Sequence, residues 1–232
     1  MINLLASSCV LCDAAVTEKS SLCKDCHSDL PWMDHSCRQC GIGLIKDIAS
    51  DLCGACQTNP TSVDYTLSAL HYLSPVDYLI SELKFNHQLT SASILADLLL
   101  QYLHQASFDQ AENGKPELII PVPLHSKRLK TRGFNQAVEM ARLVTKALSI
   151  PMCNNSIIRT KNTPPQTQLT ATQRSKNIRN SFMIQDTKEL LNVSHVVILD
   201  DVVTTGATCN ELAKLLKKAG IKTVGVWSIA RA

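Results

Sequence analysis

The chain has 232 residues, 45% of them apolar and 19% charged, and a formal net charge of +3. That leaves room for one domain of about 150–170 residues with a normal buried core, plus a small appendage. No uninterrupted apolar run approaches the roughly 18 residues of a membrane span, so no membrane insertion is expected. The net charge hides an asymmetry, because residues 115–180 hold twelve Lys/Arg against two Glu, a local +10 that leaves −7 elsewhere. A basic middle of this kind implies a polyanionic partner, either pyrophosphate or nucleic acid.

The N-terminal segment carries eight of the ten cysteines as four CxxC pairs: Cys9/Cys12, Cys23/Cys26, Cys37/Cys40 and Cys53/Cys56. Ten, ten and twelve residues lie between successive pairs. The first residues lack the basic start and long apolar stretch of a secretion signal, which predicts a cytoplasmic chain with reduced thiols. Thiolates two residues apart form metal knuckles, so two tetrahedral Zn2+ sites of four cysteines each follow, structural because every position is filled by protein. Sequential pairing puts Cys9, Cys12, Cys23 and Cys26 on one ion and the other four on the second. A cross-braced pairing has the same spacing and stays open. A segment of about 60 residues with few aromatics needs such a staple. Cys153 and Cys209 stand apart and are expected to be packing residues.

Domains are expected at residues 1–60 and 61–232. After the linker Asn59-Pro60-Thr61-Ser62, residues 65–72 read as a strand. Pro75 opens a helix with Val76, Leu79, Ile80 and Leu83 on one side, and a second helical run extends from Thr90 to about Gln105. Glu117-Leu118-Ile119-Ile120 reads as a buried strand closed by Pro121 and Pro123, which cannot donate to a ladder. Residues 125–132 read as a basic loop at that strand's C-terminal end. Gly133 permits a tight entry into a helix with Ala137, Met140, Ala141, Val144 and Leu148 on its apolar side. Arg132, with Arg128 beside it, is a candidate for pyrophosphate, since a planar bidentate donor matches phosphate oxygens. Residues 157–182 lack helical periodicity and a continuous apolar run, and read as a hood over the core.

Residues 196–208 carry the most functional information. Val196-Val197-Ile198-Leu199 suits a parallel strand buried on both faces. Asp200 and Asp201 follow, then Thr204-Thr205-Gly206-Ala207-Thr208, then a helix with Cys209, Leu212, Leu215, Leu216 and Ala219 at helical spacing and a stop at Gly220. Amides converging at a helix N-terminus, with the Thr204, Thr205 and Thr208 hydroxyls, can hold a phosphate. Gly206 and Ala207 keep bulk away from it. Carboxylates placed to accept from vicinal sugar hydroxyls complete a cradle for a ribose 5-phosphate. GxGxxG and GxxxxGK[ST] do not occur, which disfavours dinucleotide and Walker-type sites.

These thirteen residues resemble the signature with which type I phosphoribosyltransferases bind 5-phosphoribosyl 1-pyrophosphate (PRPP). Together with the four CxxC pairs, Leu83-Lys84-Phe85, Pro121-Val122-Pro123-Leu124, Arg132-Gly133-Phe134-Asn135-Gln136-Ala137 and residues 166–182, the chain resembles the ComF family, including its GntX-like members. The resemblance implies an α/β fold, a type I phosphoribosyltransferase-like parallel sheet flanked by helices, preceded by a double zinc ribbon. It implies PRPP with Mg2+ as ligand, and a closing loop in which Gln166, Arg174 and Asn177 are contacts or anchors. Lys84 could approach the site. The family also links the chain to DNA uptake and competence or to nucleotide-related metabolism. A non-catalytic factor binding single-stranded DNA or a DNA-uptake protein, with PRPP only a regulatory ligand, is the alternative, although an aromatic content of 4% offers few stacking platforms.

Overall fold

The computed structural model describes residues 7–16, 21–45, 50–85, 89–109, 114–162 and 177–232. A four-stranded parallel sheet organises the chain. Its strands are β3 (Tyr65–His71), β4 (Leu118–Pro121), β7 (His195–Val203) and β8 (Thr223–Arg231), in the order β3-β8-β7-β4. Helices cover both faces: α3 (Val76–Phe85), α4 (Leu89–Gln105) and α6 (Gln136–Leu148) on one, α7 (Ala207–Lys218) on the other. Two apolar clusters follow from strand alternation. Val197, Leu199, Trp227 and Ile229 join Leu95, Leu99, Met140 and Val144 on the first face. Val196, Ile198, Val224 and Val226 join Leu212, Ala213 and Leu216 on the second. A central strand covered on both sides must be apolar at successive positions, which is why Val196 to Leu199 does not alternate.

The cysteine segment packs along the β3 edge. It holds β1 (Ser7–Ser8), β2 (Ala15–Val16), α1 (Lys24–Ser28) and α2 (Gly54–Thr58). Cys9, Leu22 and Leu30 belong to the same apolar cluster as α4. The His71 amide donates to Pro31 O at 2.8 Å and the Met33 amide to Ala69 O at 2.9 Å. Farther along the strand the Thr66 amide donates to Arg38 O, also at 2.8 Å. These bonds occupy an edge that would otherwise be open to pairing with another chain. Gly41, at φ +71°, lies where a Cβ would fall 2.7 Å from a Thr66 methyl, so the close approach requires glycine.

Three expectations are corrected. Residues 125–132 are not a loop: α5 (Ser126–Arg132) starts at His125, whose Nδ1 accepts from the Lys127 amide at 3.2 Å, and ends at Gly133 with φ +81°. Helical periodicity missed it because Leu129, its one large apolar residue, is 43% exposed. Part of the expected hood is an antiparallel pair, β5 (Ile157–Arg159) with β6 (Phe182–Ile184). Strand β7 also runs past the acidic pair to Val203, because its ladder with β8 continues through Val203 opposite Arg231.

Gly225 marks another close approach, since an added Cβ would overlap the Tyr65 ring. The ring is pinned by a 2.9 Å hydrogen bond between its hydroxyl and His195 Nε2. Gly225→Ala is expected to cost about 1–3 kcal/mol through overpacking. Thermal melts of both proteins check this, and an unchanged midpoint would mean the ring swings aside without loss.

Candidate functional site

A cleft of about 720 Å3 opens at the C-terminal ends of β4 and β7, where ligands bind in open α/β sheets. One wall is the end of β7 and the turn after it: Asp200, Asp201, Thr204, Thr205, Gly206, Ala207 and Thr208 all line it. The two carboxylates are held by local amides. Asp200 Oδ1 accepts from the Asp201 amide at 3.0 Å, and Asp201 Oδ1 from the Val202 amide at 2.9 Å. Gly206 caps α7 at φ +72° and contributes no side chain, so the first turn of the helix meets the cleft without bulk. A Cβ at Gly206 would meet open space, which makes its backbone angle, rather than crowding, the reason for glycine in this structure.

The opposite wall is basic. Lys127, Arg128, Thr131 and Arg132 of α5 line it, with Asn135 and Gln136. Each residue of Arg132-Gly133-Phe134-Asn135-Gln136 has a local task. Arg132 Nη1 donates to Gln136 Oε1 at 2.7 Å, Gly133 ends α5 in the left-handed region, and Phe134 packs against the core. Asn135 caps α6 by accepting from the Ala137 amide at 3.1 Å and donates to Val122 O at 3.0 Å. Gln136 is only 3% exposed, and its Nε2 has no hydrogen-bond partner among the described residues. Such a donor is costly to bury unless something binds it, and it lines the cleft.

Arg159, Asn162 and Tyr72 line the same cleft and were not singled out by the sequence; Leu124, the end of the Pro121-Val122-Pro123-Leu124 motif, joins them. Arg159 is 8% exposed, sits 5.8 Å above the Phe182 ring, and is placed by the bridge between residues 125 and 159. Burial pulls its guanidinium down to about 10, Arg128 pushes the same way, and Asp200 opposes them. Burial and then Arg132 lower Arg128 as well. Arg128, Arg132 and Arg159 thus share the cleft with the carboxylates of Asp200 and Asp201, which places cationic and anionic groups around one space. Gln166, Arg174 and the Lys84 side chain lie outside the described residues, and Asn177 is not among the residues lining the cleft.

The cysteines resolve into two sequential clusters, Cys9/Cys12/Cys23/Cys26 and Cys37/Cys40/Cys53/Cys56, each with its sulfurs within 4.8 Å of one another. Cys12 and Cys23 Sγ are 3.7 Å apart, as are Cys40 and Cys53 Sγ. That separation is the edge of a tetrahedron with metal–sulfur bonds of about 2.3 Å, so the donors fit Zn2+. Burial pushes the Cys9 and Cys37 thiols up, but backbone amides at the knuckles outweigh it and bring them to about 6 and about 7. Burial raises Cys153 to about 11 and Cys209 well above the ordinary thiol value, which suits packing residues. Among the described residues no helix is long and apolar enough to cross a membrane.

The sheet, the cleft at its carboxyl edge and the two four-thiolate knuckles define a phosphoribosyltransferase-type domain joined to a zinc ribbon. Comparison with known families agrees: the double zinc ribbon domain matches residues 2–57 and the phosphoribosyl transferase domain matches residues 93–232. The chain is 35% identical to Competence protein F of Haemophilus influenzae, over 100% of both chains. It is 34% identical to the DNA utilization protein YhgH of Salmonella typhi, covering 96% of this chain and 89% of that one. Competence protein ComFC of Streptococcus pneumoniae is 23% identical over 92% of this chain and 89% of its own. The chain belongs to the ComF family.

Proposed function

We propose that the cleft binds PRPP and that the chain is a cytoplasmic phosphoribosyltransferase-like protein acting in DNA uptake and utilisation. The observation that carries this reading is the facing of Asp200 and Asp201, with the Thr204–Thr208 turn, against Arg128, Arg132 and Arg159 across one cleft. In this reading the turn holds the 5-phosphate, the carboxylates accept from the ribose hydroxyls, and the arginines meet the pyrophosphate. As the bond from ribose C1 to the pyrophosphate oxygen breaks, positive charge develops on the ribose and negative charge on the departing group. The arginine wall stabilises the latter. The acceptor's nucleophile bonds to C1 and gives up its proton, for which the acidic pair is the nearby base. Mg2+ bound with PRPP would neutralise further charge on pyrophosphate, and the carboxylates of Asp200 and Asp201 are hard oxygen donors suited to it. Gln166 and Arg174 are proposed to belong to a loop closing over the ligand.

The DNA link rests on the names of the relatives, Competence protein F and DNA utilization protein. Single-strand binding is a second reading, favoured by a groove of about 490 Å3 outside the cleft, lined by Arg179, Lys214 and Lys218 with Glu211 among them. Calorimetric titration separates the two. Saturable binding of PRPP with Mg2+, weakened roughly 10- to 150-fold by Arg159→Gln, supports the first, since a hydrogen bond to a charged group is worth about 1.5–3 kcal/mol. Oligonucleotide binding that falls steeply with salt, with no heat from PRPP, supports the second.

A further inference from the structure

Arg231 ends β8 between two parallel neighbours, opposite His71 of β3 and Val203 of β7. Its backbone is fixed, with its carbonyl accepting from the Tyr72 amide at 2.9 Å. Only 7% of the residue is exposed, and a buried guanidinium is costly unless its donors are met. Its Nε and Nη1 find carbonyl oxygens, one on the adjoining Ala232 and the others in two distant parts of the chain. Nε donates to Cys40 O at 2.8 Å, in the second cysteine knuckle. Nη1 donates to Val203 O at 3.2 Å and to Thr204 O, where β7 passes into the turn at the cleft. One rigid cation therefore holds both the Cys40 peptide and the start of the turn that lines the cleft.

We propose that Arg231 is a positioning residue that couples the second zinc knuckle to the 203–208 turn, so that the order of the turn, and with it PRPP affinity, depends on metal in the second cluster. The PRPP half of this statement rests on the function proposed above; the coupling does not. The planar guanidinium spans both acceptors, whereas a lysine ammonium would reach one, so Arg231→Lys is not a conservative change here. The knuckle is formed by Cys37 and Cys40 themselves, through the Gly41 amide donating to Cys37 O and the Cys37 amide to Ile42 O, each at 2.8 Å. Loss of metal from these thiolates frees that turn, and the Cys40 carbonyl moves with it.

The test is hydrogen–deuterium exchange of full-length, zinc-loaded protein, read at residues 203–208, alongside zinc content and PRPP titration. Arg231→Gln and Arg231→Lys are expected to retain two zinc ions per chain while exchange at the turn rises at least about tenfold and PRPP affinity falls by a similar factor. Cys40→Ser is expected to raise exchange at the turn beyond the rise at core amides of β4 and β7, which reports general destabilisation, and that excess is expected to vanish in the Arg231→Gln background. Unchanged exchange at 203–208 in both Arg231 variants, or the same excess for Cys40→Ser with and without Arg231, would overturn the coupling. If wild type binds no PRPP, the ligand assignment fails, and the exchange data still decide the coupling.

Discussion

Removing zinc, or replacing Cys37 by serine, is expected to unfold the cysteine segment and destabilise the sheet beside it. Structural zinc sites contribute about 10 kcal/mol or more at neutral pH, comparable with the whole stability of a typical domain. Here the loss would spread, because Cys9, Leu22 and Leu30 share the apolar cluster of α4, and the 31–39 backbone closes the β3 edge. Uncovering that edge exposes Ala69 and Leu70 and leaves strand groups without partners. Limited proteolysis and thermal melts with and without a chelator measure the effect. Early cleavage between residues 9 and 58, with a lowered melting midpoint, is the expected result. Zinc also competes with protons for thiolate, so occupancy should fall as the pH is lowered. A zinc-free protein with the wild-type melt would show that the core carries the ribbon unaided.

The paired change Asp200→Asn and Asp201→Asn is expected to weaken PRPP binding about 100-fold or more while the fold stays intact. Asparagine keeps the shape and one oxygen acceptor on each side chain, so the local bonds to the Asp201 and Val202 amides can persist. What disappears is the charge that accepts from a diol, worth about 1.5–3 kcal/mol for each such bond. Removing the pair relieves their mutual repulsion but also removes the attraction of Asp200 for buried Arg159, so the melting midpoint should change little. Titration calorimetry beside a melt separates these effects. A large stability loss with unchanged affinity would make the pair structural instead.

The sheet was readable because burial on both faces leaves a plain trace. Val196 to Leu199 and Leu118 to Ile120 are apolar at every position, and no amphipathic element has that pattern. The cysteine clusters were readable as CxxC pairs, but their partnering was not, since spacing is the same for sequential and cross-braced arrangements. Helix α5 was illegible to periodicity because Ser126 to Arg132 presents no apolar stripe. Its evidence lies in the His125 cap and the left-handed Gly133, which are local chemistry rather than pattern. Of the cleft, the acidic pair and its turn were legible because they are contiguous. Arg159 was not. It reaches the cleft through pairing with residues more than twenty positions away, around Phe182, and a lone Arg after two isoleucines announces nothing. Gln136 likewise looked like one letter of a motif until its bond to Arg132 gave it a task.

On the proposed function, one cleft holds a ribose ester between the acidic pair and the arginine wall. A crystal structure of the protein soaked with PRPP and Mg2+ would decide it. The 5-phosphate is expected against the 204–208 turn, ribose hydroxyls within hydrogen-bond reach of Asp200 and Asp201, and pyrophosphate toward Arg128, Arg132 and Arg159. Density for the ligand elsewhere, or an empty cleft at saturating concentration, would contradict it.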